Sequence, residues 1–218
     1  MLVIDVGGTH IKVWPPGRRS VIEVDSGRKM TAKQMVKGVL KTVHASDYDA
    51  VSIGYPGPVL HGSPIVEPTN LGRGWVGFDY QKAFGKQIRI INDAAMQALG
   101  SYRGGRMLFL GLGTGLGSAL IVDGVLEPLE LAHLPYRKGR TFEDYVGQRA
   151  LDRLGKKKWR RAVNDVVQRL REAVQADYVV LGGGNVKYLK QLPDGVRRGN
   201  NANAHRGGII LWATSSRN

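Results

Sequence analysis

The chain has 218 residues, enough to bury one sizeable core or two small lobes. It contains no cysteine, which excludes disulfides and thiolate metal sites and fits a reducing compartment, and no apolar run is long enough to span a membrane. Lysine and arginine number 32 against 18 acids, a net charge of +14, so the partners to expect are polyanions: nucleic acid, an anionic surface or a phosphate-rich substrate.

Leu2-Val3-Ile4 reads as a buried strand starting at residue 2, so no leader peptide is expected and the cytoplasm is the expected location. It runs into Asp5-Val6-Gly7-Gly8-Thr9-His10-Ile11-Lys12, with Ile11 to Trp14 as the returning strand. Paired glycines let backbone N–H groups approach a ligand closely. Asp5 can hold a hydrated Mg²⁺ and Thr9 can hydrogen-bond a phosphoryl oxygen, although the same residues also suit a plain hairpin.

Thr31-Ala32-Lys33-Gln34 has capping-box spacing and predicts a helix to about His44. A strand over Ala50 to Gly54 empties into a Pro- and Gly-rich loop, Tyr55 to Trp75, whose length points to function. A helix over Asp79 to Phe84, a strand over Ile88 to Ile91 and a helix opened by Asn92-Asp93 follow. Strands then come at Met107 to Leu110, Gly117 to Val122 and Val125 to Glu127, the last two joined by the hairpin signal Asp123-Gly124. Helices are expected from Thr141 and from about Lys157, then a strand over Tyr178 to Leu181 ending in Gly182-Gly183-Gly184-Asn185.

A glycine-bearing strand pair thus occurs twice, each followed by α/β elements. That predicts two similar lobes, a smaller one over 1–94, completed by a terminal helix over 205–218, and a larger one over 95–204. Gly111-Leu112-Gly113-Thr114-Gly115-Leu116-Gly117 is not a dinucleotide fingerprint, because a strand follows it where that motif needs a helix. Two strand-turn-strand loops, one with Thr9 and one with Thr114, would instead clamp a phosphate chain from both sides. Between Arg137 and Arg161 ten basic residues face three acids, a local excess that suits a polyanion track as well as a solvated helix face.

Taken in order, these motifs resemble the ROK family of sugar kinases in the actin/hexokinase superfamily, and within it the polyphosphate glucokinase branch. The Asp5–Lys12 segment is similar to the family's first phosphate motif and Gly111–Ala119 to its second. Leu181–Asn185 resembles the glycine segment near the donor end, and Ile91-Asn92-Asp93-Ala94-Ala95 the segment with the catalytic aspartate. Glu130-Leu131-Ala132-His133 resembles the sugar-binding Glu-x-Gly-His motif, with Ala132 in place of glycine. The resemblance implies a two-lobed, ribonuclease H-like α/β fold with the active site in a cleft between lobes.

It also implies roles. Asp93 is the expected general base toward the 6-hydroxyl of glucose or a related hexose, and its plainer role is helix capping. Asp5, Gly7, Gly8, Thr9, Lys12, Gly113, Thr114 and Gly115 are expected at the phosphates, with Mg²⁺ on Asp5 through water. Asn70, in a loop that resembles the family's Asn-Leu-x-x-Trp segment, is expected at the sugar with Asn92, Asp93, Glu130 and His133; Asn92 equally suits a cap. Glu143 is expected there too, with helix N-terminal charge as its equal rival.

Gly183, Gly184 and Asn185 would lie at the donor end with Lys157, Lys158 and Arg161, whose Lys156–Arg161 run resembles the Lys-Trp segment of polyphosphate glucokinases. Polyphosphate and ATP both remain open as donors. Without cysteine, no zinc site is expected. A homodimer without nucleic-acid or membrane partners is expected, and the alternative is a sugar-sensing regulator of the same family. An N-terminal helix-turn-helix, which such regulators carry, is not expected with the first strand at residue 2.

Overall fold

The computed structural model describes residues 1–18, 20–200 and 202–213. The last five residues of the expected terminal helix therefore lie outside the described residues. In chain order the elements begin with β1 (Leu2–Val6), β2 (His10–Trp14), β3 (Ile22–Asp25), α1 (Ala32–Leu40), β4 (Ala50–Tyr55), β5 (Val59–Leu60) and β6 (Ser63–Pro64). Next come α2 (Tyr80–Phe84), β7 (Gln87–Asn92), α3 (Asp93–Ser101), β8 (Arg106–Leu112), β9 (Leu116–Val122) and β10 (Val125–Leu129). The chain continues with β11 (Pro135–Arg137), β12 (Arg140–Thr141), α4 (Glu143–Val146), α5 (Gln148–Ala173), β13 (Tyr178–Gly182), β14 (Val196–Arg198) and α6 (Asn203–Ala213). They form two compact units: Met1–Met96 with the chain from Ala204 onward, and Gln97–Asn203.

The first unit is built on a sheet of order β3-β2-β1-β4-β7, in which β1, β2 and β3 are antiparallel and β1, β4 and β7 parallel. Parallel strands covered on both faces read as continuous apolar runs, and Leu2, Val3, Ile4 and Val6 are all fully buried. The two-residue period splits them. Leu2, Ile4 and Val6 join Met35, Val36 and Val39 of α1, while Val3 joins Trp14, Met96 and Ala204. A Cβ on Gly208 would lie 2.5 Å from a methyl of Val3, so its absence lets α6 settle on the sheet. Ser52 then donates to the Gly208 carbonyl at 2.6 Å and accepts from the Trp212 indole at 2.8 Å.

The second unit repeats the arrangement with order β10-β9-β8-β13-β14: an antiparallel meander, then β13 parallel to both β8 and β14. Trp159, Val163, Val166, Val167 and Leu170 of α5 are buried with Leu108, Leu110, Val179 and Leu181. The Trp159 indole donates to the Val146 carbonyl at 2.9 Å, so this tryptophan belongs to the core.

Two helices differ from expectation. The capping box at Thr31 forms, but α1 stops at Leu40 because Thr42 folds back, its N–H and hydroxyl both donating to the Val39 carbonyl at 2.8 Å. The helix expected from Thr141 is the single turn α4, opened by reciprocal Thr141–Asp144 hydrogen bonds and ended at Gly147. α5 is interrupted at Gly155, whose φ of 71° is left-handed, so its regular second stretch starts near the expected Lys157. Among the described residues no helix is long and apolar enough to cross a membrane.

Candidate active site

In the first unit, two carboxylates are brought together at the carboxyl ends of parallel strands, where open α/β sheets place ligands. Asp5 is the penultimate residue of β1 and pairs in register with Gly54 of β4, which pairs in turn with Ile91 of β7. A Cβ on Gly54 would lie 3.3 Å from the Asp5 carboxylate, so this glycine leaves room for it. Two residues past Ile91, Asp93 opens α3 and its carboxylate accepts the Ala94 N–H at 2.8 Å. Asn92 is the cap: its side-chain oxygen accepts the Ala95 N–H at 3.1 Å and its amide donates to the Gly57 carbonyl at 3.2 Å.

Both acids are perturbed. Burial pushes Asp5 up to about 6, opposed by the charge of Lys12, its cross-strand partner. Burial and then the charge of Asp5 push Asp93 up to about 7, against hydrogen bonds from backbone amides and Asn92. A buried carboxyl group raised by desolvation and by a second acid is a candidate for proton transfer.

The first glycine turn, which follows β1, is held by its own backbone and by Ser26. Gly7 donates to the His10 carbonyl at 3.2 Å, and a Cβ on Gly7 would stand 2.6 Å from that oxygen. Ser26 donates its hydroxyl to the Gly7 carbonyl at 2.6 Å and its N–H to the Thr9 carbonyl at 3.0 Å. Gly8 and Thr9 stay exposed, and Asn70 reaches the same turn, its Cβ 3.3 Å from where a Cβ on Gly8 would sit.

Glu67, to which sequence reasoning gave no role, organises the loop that carries Asn70. Although desolvation pushes its carboxylate up, the N–H groups of Trp75, Gly74 and Val76 and the charge of Arg73 hold it below the usual range. Met30 fastens the same loop from below, its carbonyl accepting from Gly72 at 2.8 Å and from the Trp75 indole at 3.2 Å. Three successive amides around one acid leave no mark in a sequence.

In the second unit, the other glycine turn is gripped from three sides. The Gln148 N–H donates to the Gly113 and Thr114 carbonyls at 3.0 and 3.2 Å, and the buried Asn185 donates its amide to the Gly113 carbonyl at 3.1 Å. Glu143 accepts the Leu116 N–H at 3.0 Å, and a Cβ on Gly115 would collide with its carboxylate. The Glu143 N–H in turn donates to the Ala132 carbonyl at 3.0 Å, which ties the Glu130–His133 segment to this turn. Glu130 and His133 are themselves exposed.

Gly183 sits beside β8, where a Cβ would overlap the Leu112 carbonyl, and Gly184 opens a 3-10 turn over Gly184–Tyr188. Lys157, Lys158 and Arg161 are exposed on α5, whereas Arg160 donates to the Tyr188 carbonyl at 2.6 Å and is spent on structure.

Among the described residues no three His, Asp or Glu side chains converge as a metal cage. The single Asp5 carboxylate, at the end of β1 where the first glycine turn begins, suits Mg²⁺ held through water, since that ion keeps most of its waters and shares substrate phosphates.

The sequence pattern of the ROK family matches residues 1–127. The polyphosphate glucokinase of Mycobacterium tuberculosis (strain CDC 1551 / Oshkosh) is 27% identical over 213 residues, covering 83% of this chain and 76% of that protein. Among solved structures, the inorganic polyphosphate/ATP-glucomannokinase from Arthrobacter sp. strain KM superposes with a TM-score of 0.83 at 23% identity, over 99% of this chain and 98% of the other. A ROK family glucokinase from Streptomyces griseus, solved with glucose and AMPPNP, gives 0.73 at 17% identity over 97% and 99%. With the family match, the fold is the α/β arrangement typical of the actin/hexokinase superfamily, with mixed sheets flanked by helices.

Proposed function

The chain belongs to the ROK family, and from that premise we propose that it is a sugar kinase, phosphorylating the 6-hydroxyl of glucose or a related hexose with inorganic polyphosphate, ATP or both as donor. The observation that carries this reading is the Asp5–Asp93 pair, one acid at the end of β1 before the first glycine turn and the other, raised to about 7, at the head of α3.

Asp93 accepts the proton of the sugar's 6-hydroxyl as that oxygen attacks the terminal phosphorus, and the bond to the rest of the donor breaks. The turns at Gly7, Gly8 and Thr9 and at Gly113, Thr114 and Gly115, exposed at Gly8, Thr9 and Thr114, would offer N–H and hydroxyl donors to phosphate oxygens. Lys12 adds positive charge. Asp5 would hold Mg²⁺ through water, and that ion would offset charge on the transferred phosphoryl oxygens. Asn70, Asn92, Glu130, His133 and Glu143 would hydrogen-bond ring hydroxyls, while Gly183, Gly184, Asn185, Lys157, Lys158 and Arg161 would serve the donor's far end. The protein would act in the cytoplasm as a homodimer.

Glu67→Gln tests how the sugar loop is held. It keeps one acceptor for three amides and loses the charge, so the hexose KM is expected to rise about tenfold, with kcat changed less. A steady-state titration of hexose reads the difference, and unchanged KM would remove Glu67 from the account.

Initial rates with ATP, tripolyphosphate and long-chain polyphosphate at saturating glucose test the donor. A rate that climbs with phosphate chain length is expected if polyphosphate is the physiological donor. Turnover with ATP alone would restrict the proposal to a nucleotide-dependent kinase, and turnover with no donor would turn it toward a sugar-sensing regulator.

A further inference from the structure

We propose that Arg28 and Lys29, together with Lys33, Lys37 and Lys41 of the α1 segment, form a second polyanion site: a track that binds extended inorganic polyphosphate leading away from the first glycine turn. This rests on polyphosphate being a donor, as argued above.

The track starts at the phosphates' own turn. Ser26 is bonded to both Gly7 and Thr9, and Arg28 and Lys29 follow it, both exposed. A surface depression of about 470 Å³ lies there, lined by Ser26, Gly27, Arg28, Lys29, Met30 and Gln34. Gly72 donates to the Met30 carbonyl, which brings its exposed neighbour Arg73 to the same stretch.

Beyond the depression, Lys33, Lys37 and Lys41 are all exposed and spaced four apart. At that spacing they share one side of the helix, each about 6 Å further along its axis. Neither α1 nor its cap carries an acid, and among the described residues none of the five cations is ion-paired. Like charges four apart repel, so the helix bears a cost that a bound polyanion would relieve.

The nearest acids on the sheet face the other way. Val24 of β3 lies toward α1, since a Cβ on Gly38 would stand 3.0 Å from it, and strand alternation sends Glu23 and Asp25 to the opposite face. Asp25 there is engaged by His10 at 3.5 Å.

The chemistry favours bare phosphate over nucleic acid. Lysines act as point charges on phosphate, whereas single-stranded nucleic acid needs aromatic platforms for its bases. No exposed large apolar side chain among the described residues is aromatic.

The test is the triple variant Lys33→Ala, Lys37→Ala, Lys41→Ala of the full chain. Alanine preserves the helix and removes the repulsion, so the variant is expected to fold. Its KM for long-chain polyphosphate should rise by about fivefold or more, with a shallower salt dependence, while KM values for tripolyphosphate, ATP and glucose stay put. An unchanged long-chain KM, or an equal rise for ATP, would overturn the track.

If the parent protein turns over no polyphosphate, the donor reading fails and equilibrium binding of long-chain polyphosphate decides the track separately. Binding weakened about fivefold in the variant supports it; equal binding overturns it. Loss of single-stranded RNA binding with polyphosphate binding intact would also overturn it.

Discussion

Asp93→Asn is expected to lower kcat with hexose by roughly 10²–10⁴-fold while sugar binding is retained. Asparagine keeps the shape and an oxygen to accept the Ala94 N–H, so the head of α3 survives, but it cannot take a proton. The variant should also be more stable than the parent. Asp93 and Asp5 are raised to about 7 and about 6, so between about 4, the usual carboxylate value, and 7 the folded state of the metal-free protein holds more protons than the unfolded state. Stability therefore falls as pH rises through that window, and removing one of the two charges relieves the fall.

The thermal midpoint of Asp93→Asn should thus exceed the parent's at pH 7.5, with the gap closing toward pH 4. Parent kcat/KM should fall below about pH 7 as the base is protonated. A variant that turns over at the parent rate would remove Asp93 from catalysis. A variant less stable at neutral pH would show that the carboxylate is held by partners rather than burdened by burial.

The second large effect is structural. Gly183→Ala is expected to destabilise the protein by about 3 kcal/mol or more, read as a lower denaturation midpoint. With φ 86° and ψ 161°, Gly183 occupies a region that only glycine enters readily, and an added Cβ would overlap the Leu112 carbonyl. The neighbouring Gly184→Ala provides the contrast. Its Cβ would meet nothing within 4 Å and its φ is not left-handed, so a change within about 0.5 kcal/mol is expected. Equal effects at the two positions would mean that the close approach of Gly183 to β8 is not what holds this segment.

The parts of this architecture that a sequence shows are those with a local signature. The Gly7-Gly8 turn between apolar runs, the Thr31–Gln34 capping box, the Asp123-Gly124 hairpin and the helical stripe from Trp159 to Leu170 all mark their own elements. β3 carries little signal of its own, because Ile22-Glu23-Val24-Asp25 is short and half-exposed, and its place is fixed by pairing with β2.

The site divides along the same line. Asp5 and Asp93 stand out as acids next to buried strands, but their mutual effect depends on Gly54 and the β1–β4–β7 register, which set residues far apart in sequence side by side. Glu67 and Asn185 work through distant backbone groups, Gly74 to Val76 and Gly113, so nothing near either residue announces the task. The hairpin β11–β12 offers a similar case: Tyr136 donates to Asp165 of α5, which also pairs with Arg137 at 3.1 Å and Arg169 at 2.8 Å. That cluster fastens to α5 the segment between the Glu130–His133 motif and Glu143 in a chain without cysteine.

The most direct measurement is mass-spectrometric and NMR identification of the product when the full chain is incubated with glucose, Mg²⁺ and either polyphosphate or ATP. Gain of a single phosphate on the 6-oxygen, abolished by Asp93→Asn, is the result expected. Glucose bound yet recovered unmodified with every donor would contradict it.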